Sequence, residues 1–147
     1  SCNSPMFAIY TKKGNCKYHY YLCTNAQKRG YQSCPTRLLN AENTENEVVE
    51  CLKRIVDDEN AMKNILHSLN KAGSSPNTIT MSKLKETFLI NSPLWKKLFP
   101  KEKQRFLKTL IKQIDYDAPK ENLSILLNEN GLRFLCTNVN FDEKEDK

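Results

Sequence analysis

Residues 1–35 read SCNSPMFAIYTKKGNCKYHYYLCTNAQKRGYQSCP, and the fold turns on how this stretch is read. Residues 6–11 (MFAIYT) and 16–23 (CKYHYYLC) are dense in β-branched and aromatic side chains, the composition of strands. Between them Gly14-Asn15 is a two-residue hairpin signal, because glycine reaches positive φ without a Cβ clash. A turn at that pair fixes the register: Lys13 faces Cys16, Lys12 faces Lys17, Tyr10 faces His19 and Ile9 faces Tyr20. Alternation then sorts the two faces. Phe7, Ile9, Tyr20 and Leu22 share the side expected to be core, and Tyr10, Lys12, Lys17, His19 and Tyr21 share the other. Like charges directly opposite on a sheet repel. A Lys12/Lys17 pair is therefore easier to understand under an anion than alone. The plainer account is that both long stems splay into water.

The charge distribution sharpens that contrast. The chain of 147 residues has a formal net charge of +6. Residues 1–41 hold Lys12, Lys13, Lys17, Lys28, Arg29 and Arg37 with no Asp or Glu, so the rest is neutral overall. A single-sign field confined to one part of a chain suits a polyanion such as nucleic acid; a solvated basic surface is the competing explanation. No apolar run approaches the ~20 residues needed to span a bilayer. No signal peptide is recognisable at the start, and a soluble, cytoplasmic protein is expected.

Six cysteines in a chain with no secretory signal favour a metal site over a disulfide framework. Cys51 and Cys136 sit in apolar patterns and read as small core residues. Cys2 precedes the hairpin, Cys23 ends its second strand, and Cys34 follows with ten residues between the two. A zinc ribbon needs ligand-bearing knuckles held by a β-hairpin, so that thiolates converge tetrahedrally on one ion. Cys16 falls beside the turn, away from the knuckles. His19 shares a strand face with Cys23 but lies about 13 Å along it, too far without a sharp bend.

Residues 24–41 read as a loop with Lys28-Arg29-Gly30 at its tip. A helix is expected from Thr44, where Thr44-x-x-Glu47 forms a capping box ahead of Val48, Val49, Leu52, Ile55 and Val56. Asp57-Asp58 should end it and cap a second, with Met62, Ile65, Leu66 and Leu69 as its stripe and Gly73 as its stop. Residues 73–78 (GSSPNT) form a linker. Leu84 and Phe88 mark a short helix, Ser92-Pro93 opens another, and Pro100 restarts it. Phe106, Leu107, Leu110, Ile111 and Ile114 are the expected buried face. Residues 114–118 and 123–127 suggest a second hairpin, and residues 142–147 (DEKEDK) a disordered tail. The domain plan is a ribbon over residues 1–41, a helical platform with a C-terminal β-hairpin over 42–141, and the tail. The fold class is α+β, with an N-terminal zinc β-ribbon hairpin, a helical region and a C-terminal β-hairpin.

Catalytic constellations are missing: no Ser/His/Asp spacing, no phosphate-binding glycine loop and no H-E-x-x-H motif. His67 reads as a surface residue. Asp115 and Asp117 flank Tyr116 on a predicted strand and suggest a metal or acid/base pair, although edge-strand solubility explains them as well. No catalytic residue is expected, and the chain is not expected to be an enzyme by itself.

Cys2-Asn3-Ser4-Pro5-Met6, Lys17-Tyr18-His19-Tyr20-Tyr21-Leu22-Cys23, Ala26-Gln27-Lys28-Arg29-Gly30, Cys34-Pro35, Glu45 and Val48 together resemble the zinc β-ribbon domain of large serine recombinases, the serine integrases of phages and integrative elements. Leu94-Trp95, Leu98-Phe99-Pro100, Glu102, Arg105 and Leu110, with Ile114-Asp115-Tyr116 and Gly131-Leu132, resemble the segment that follows the ribbon in that family. The resemblance implies a module that binds attachment-site duplex DNA for integration and excision. The serine chemistry would lie in a separate domain outside this chain, and other recombinase subunits would be partners. It implies Zn²⁺ held by Cys2, Cys23 and Cys34, with a further cysteine upstream of Ser1, as in a fragment cut inside the motif. It also implies DNA contacts from Lys12, Lys13, Lys17, Lys28, Arg29 and Arg37, with Tyr10, His19 or Tyr21 near bases or sugars. In many members a long coiled coil is inserted in this domain. Here Ala61 to Phe88 offers only two short helices around the linker. The alternative is a protein–protein interaction module in which the ribbon is a structural staple.

Overall fold

The computed structural model describes residues 2–71, 78–117 and 120–138. The element order is β1 (Met6–Lys13), β2 (Cys16–Cys23), α1 (Thr24–Arg29), a 3₁₀ turn (Tyr31–Ser33), β3 (Leu38–Asn40), α2 (Ala41–Asp57), α3 (Glu59–Lys71), α4 (Met81–Thr87), a second 3₁₀ turn (Leu89–Asn91), α5 (Pro93–Lys97), α6 (Pro100–Leu110), β4 (Ile111–Asp117), β5 (Asn122–Leu127) and α7 (Glu129–Asn138). This is the expected α+β class, with a hairpin at each end of a helical region. The linker at 73–77 and the tail at 142–147 lie outside the described residues. The chain divides into two compact units, residues 1–51 with 115–124 and residues 52–114 with 125–147.

In the first unit the expected register is observed pair for pair, with Lys13↔Cys16, Lys12↔Lys17, Tyr10↔His19 and Ile9↔Tyr20. Gly14 takes φ 61 at the first turn position, as a type II′ hairpin requires. Leu22 is buried and Phe7, Ile9 and Tyr20 are half-buried, whereas Tyr10, Lys12, Lys17 and His19 are exposed.

Three departures from the expected elements have local causes. The loop at 24–41 contains α1, β3 and a 3₁₀ turn. Ala26, Gln27, Lys28 and Arg29 are good helix formers, and Gly30 at φ 92 ends the short helix. β3 adds a third strand through Tyr21↔Leu39 and Leu22↔Leu38. α2 begins at Ala41 rather than Thr44. Asn40 caps it, its Oδ1 accepting from the Asn43 amide at 3.0 Å, while the Thr44 hydroxyl turns back to the Asn40 carbonyl at 2.7 Å. A cap side chain four residues earlier thus outcompetes the Thr44-x-x-Glu47 pattern.

In the second unit Asp58 caps α3 as expected, its Oδ1 accepting from the Asn60 and Ala61 amides at 2.9 and 3.2 Å. Thr80 caps α4, and Ser92 caps α5 with Pro93 at its first position. The core gathers Leu52, Met62, Leu69, Leu84, Phe88, Leu110 and Leu132, all at most 2 % exposed. One expectation needs correction here, and one helix falls where no element is expected. Ile111 and Ile114 belong to β4 rather than to the α6 face, and Ile114 is 44 % exposed. The spacing of three suits a helix, but β-branched isoleucine favours a strand and β5 is available to pair; the strand then puts Ile111 and Ile114 on opposite faces. α7 is a helix that Asn128, Asn130 and Gly131 disguise as a turn; Leu132, Leu135 and Cys136 are its buried face. Among the described residues no helix is long and apolar enough to cross a membrane.

Candidate metal centre and basic face

Three chain segments bring Cys2, Cys23 and Cys34 together. Asn3, at φ 50, bends the chain just after Cys2, and asparagine tolerates this left-handed region better than most residues. The Ser4 hydroxyl then donates to the Cys2 carbonyl at 3.3 Å. Cys23 ends β2 opposite Met6, and its amide donates to the Arg37 carbonyl at 2.9 Å. The Thr24 amide and hydroxyl both donate to the Pro5 carbonyl, at 3.0 and 2.9 Å. Cys34 follows a clipped loop. There Asn25 Nδ2 donates to the Ser33 carbonyl at 3.0 Å, and the Ser33 hydroxyl reaches the Gly30 carbonyl at 2.7 Å. Sequence reasoning misses Ser33 and Asn25. The Ser-Cys-Pro run is the signal that could have found the first, since short polar side chains close ligand-bearing turns.

The Cys2 sulfur lies 3.5 Å from that of Cys23 and 3.3 Å from that of Cys34. All three sulfurs fall within 4.8 Å of one another. Ligands at the Zn–S distance of ~2.3 Å stand about 3.8 Å apart at the corners of a tetrahedron, so the spacing suits a single ion. The sulfurs are too far apart for a disulfide, and all six cysteines are free. Cys23 and Cys34 are buried with Ala26, and Cys2 and Met6 pack against them. The hydrogen bond from the Ser4 backbone, then that with Cys34, lowers the Cys2 thiol to about 6. Burial, together with the hydrogen bonds to Cys2 and Cys23, pushes Cys34 up to about 11. The donor set, the spacing and the burial all fit Zn²⁺. His19 and Cys16 are exposed and stand outside the cluster.

The other candidate residues divide by position. Tyr10, Lys12, Lys17 and His19 form one exposed patch, with the Lys17 ammonium 5.4 Å from the Tyr10 ring centre and the Tyr10 and His19 rings 6.1 Å apart. Lys13 is exposed beside the turn on the opposite strand face. Lys28 and Arg29 are exposed in the last turn of α1. Arg37 stacks over Tyr31 at 5.4 Å. Tyr21 differs from these. It is half-buried, its hydroxyl donates to Glu45 Oε1 at 2.8 Å, and burial with the nearby carboxylate pushes its phenol up to about 12. Among the described residues none of Lys12, Lys13, Lys17, Lys28 or Arg29 has an ion-pair partner. Asp115 is exposed, and Asp117 sits 3.9 Å from the Lys120 ammonium.

Residues 1–53 match the family model described as the recombinase zinc beta ribbon domain. The N-terminal part of the chain is therefore similar to a recombinase-associated zinc ribbon, and its three clustered cysteines form a possible metal site. Neither the curated proteins nor the solved structures yield a match to the chain.

Proposed function

We propose that this chain is the DNA-binding zinc-ribbon part of a site-specific serine recombinase, and that it holds attachment-site duplex for strand exchange carried out by another domain. Cys2, Cys23 and Cys34 hold Zn²⁺ as a structural ion, fixing the end of β2 and the 24–34 loop against the N-terminal knuckle. The metal supplies cross-linking and no bond-making chemistry. Lys12, Lys13, Lys17, Lys28, Arg29 and Arg37 contact phosphates. Tyr10 and His19 lie at base edges or sugars, and Tyr21 helps through its bond to Glu45 by holding the strand. The bound chain belongs to an assembly of recombinase subunits on the DNA.

The observation that carries this reading is the cross-strand pair Lys12↔Lys17 on an exposed, acid-free hairpin. Such a pair costs stability in isolation and gains it when a phosphate lies between the two ammonium groups. Phosphate contacts of this kind give affinity with a steep salt dependence, while base contacts give the choice of sequence. Lys12→Ala with Lys17→Ala is expected to weaken binding to every duplex. In an anisotropy titration against salt, the slope of log K on log[salt] should flatten by about 2, at close to 0.9 for each phosphate no longer neutralised. An unchanged slope would remove this face from the interface.

A further inference from the structure

We infer that α6 carries a second phosphate-binding surface, a stripe of Lys101, Arg105 and Lys108 that takes the backbone of duplex nucleic acid independently of the ribbon. The residues around α6 are as one-sided as the N-terminal ribbon. Between positions 96 and 112 the chain has Lys96, Lys97, Lys101, Lys103, Arg105, Lys108 and Lys112, and Glu102 is the one acidic residue. The overall neutrality of the chain beyond residue 41 hides this concentration.

Geometry makes it a surface. Positions 101, 105 and 108 follow the four-then-three spacing that puts residues on one face of a helix. All three side chains are exposed, and their Cα atoms span about 10 Å along the axis at 1.5 Å per residue. That length compares with the ~12 Å width of a major groove, so the stripe matches phosphates arrayed along or across a groove. Lys96 and Lys97 are exposed at the end of α5, just upstream in the chain. Phe99, 73 % exposed, lies between these two lysine sets in the chain and offers an apolar ring for a sugar or base face.

The nearby residues that would neutralise or divert the stripe are engaged elsewhere. Glu102 closes a capping arrangement, with its Oε2 accepting from the Phe99 amide at 2.8 Å. Lys103 points to the other side, its ammonium 5.5 Å from the Trp95 ring centre. Among the described residues, Lys101, Arg105 and Lys108 have no ion-pair partner.

Helix stability does not account for the stripe. Lys101 is the second residue of α6, at the positive end of the helix dipole, where a cation is unfavourable. Lys101 and Arg105 are like charges four apart, and Arg105 and Lys108 are like charges three apart, which also costs stability. Lys108 alone is well placed for the dipole. A row of cations set against local helix energetics is relieved by a polyanion with closely spaced charges, and duplex DNA presents one charge per about 1.7 Å of axis.

The test uses the full chain and a 30-base-pair duplex of random sequence. Lys101→Ala/Arg105→Ala/Lys108→Ala is compared with Lys101→Arg/Arg105→Lys/Lys108→Arg, with circular dichroism confirming that both keep the parent helix content. The alanine variant is expected to flatten the salt slope by about 2 to 3, and the charge-conserving variant to keep the parent slope. Combining the alanine stripe with Lys12→Ala/Lys17→Ala should add the two effects. A stripe variant with the parent slope overturns the inference, whatever the ribbon variant does. So does competition by polyglutamate, charge for charge, as effective as that by duplex, since that would mark an acidic protein as the partner. A salt slope that responds to the stripe variant and not to the ribbon variant would leave this surface standing and contradict the proposed role of the hairpin.

Discussion

Cys23→Ser is expected to abolish tight zinc binding and unfold the ribbon while the helical unit keeps its own thermal transition. Among the described residues of the first unit the buried hydrophobic side chains are few: Leu22, Cys23, Ala26, Cys34, Ala41, Val48 and Leu123. A core of that size does not hold a unit of about 60 residues against the entropy of its chain, and small domains of this kind rely on metals or cross-links. Zinc binding to thiolate sites of small domains contributes on the order of 10–16 kcal/mol, much of it appearing as folding free energy. Cys23 is 1 % exposed and touches the Cys2 sulfur, so serine leaves a hard, poorly binding oxygen at the centre of the cluster. The measurement is zinc per chain by elemental analysis, read beside amide hydrogen exchange. Parent protein should hold one zinc and protect the amides of β1 and β2. The variant, and parent protein treated with chelator, should lose both while amides of α3 and α6 stay protected. Undiminished zinc content in Cys23→Ser, or ribbon amides indifferent to chelation, would contradict the assignment of the three thiols.

Gly131→Ala should destabilise the helical unit by roughly 2–4 kcal/mol, the range of overpacking and backbone clashes. Helix propensity alone predicts the opposite sign, a gain of about 1 kcal/mol for alanine over glycine. Sterics decide: a Cβ at Gly131 would run into the backbone carbonyl of Thr109, and backbone cannot swing aside as a flexible side chain does. The position is held from both directions. The Gly131 amide donates to Asn128 Oδ1 at 3.2 Å, and the Asn128 amide donates to the Leu110 carbonyl at 2.8 Å, which sets the first turn of α7 against the end of α6. For a unit of this size the melting temperature should fall by on the order of 10 °C or more. A rise by calorimetry would show that α7 does not approach α6 this closely.

The hairpin and the three clustered cysteines are legible in the sequence because their signals are local and redundant. Gly14-Asn15, the strand composition on either side and the spacing of Cys23 and Cys34 all point to one register. α7 is not legible, since Asn128, Asn130 and Gly131 carry turn composition. Gly131 is glycine because α6 passes beside it, a tertiary fact with no trace in helix periodicity. β3 is hidden for a related reason: three residues, Leu38 to Asn40, have too little length for alternation to register, and only β2 defines them. The basic stripe on α6 is written plainly at positions 101, 105 and 108. Averaging charge over the rest of the chain conceals it, together with the acidic residues elsewhere that balance it. Tyr21 shows the limit of alternation, which sorts residues within a strand but is blind to distant partners. Glu45, 24 positions later, engages its hydroxyl.

The central claim is that the exposed face of the zinc-held hairpin lies against duplex DNA, and lysine acetylation footprinting tests it side chain by side chain. The full zinc-loaded chain is labelled with and without duplex and read by mass spectrometry. Lys63, exposed on α3 and paired with Glu59, serves as the internal reference. Lys12 and Lys17 should be shielded at low salt and released as salt rises, while Lys63 labels equally throughout. Lys12 and Lys17 labelling at the reference rate on saturated duplex would contradict the account.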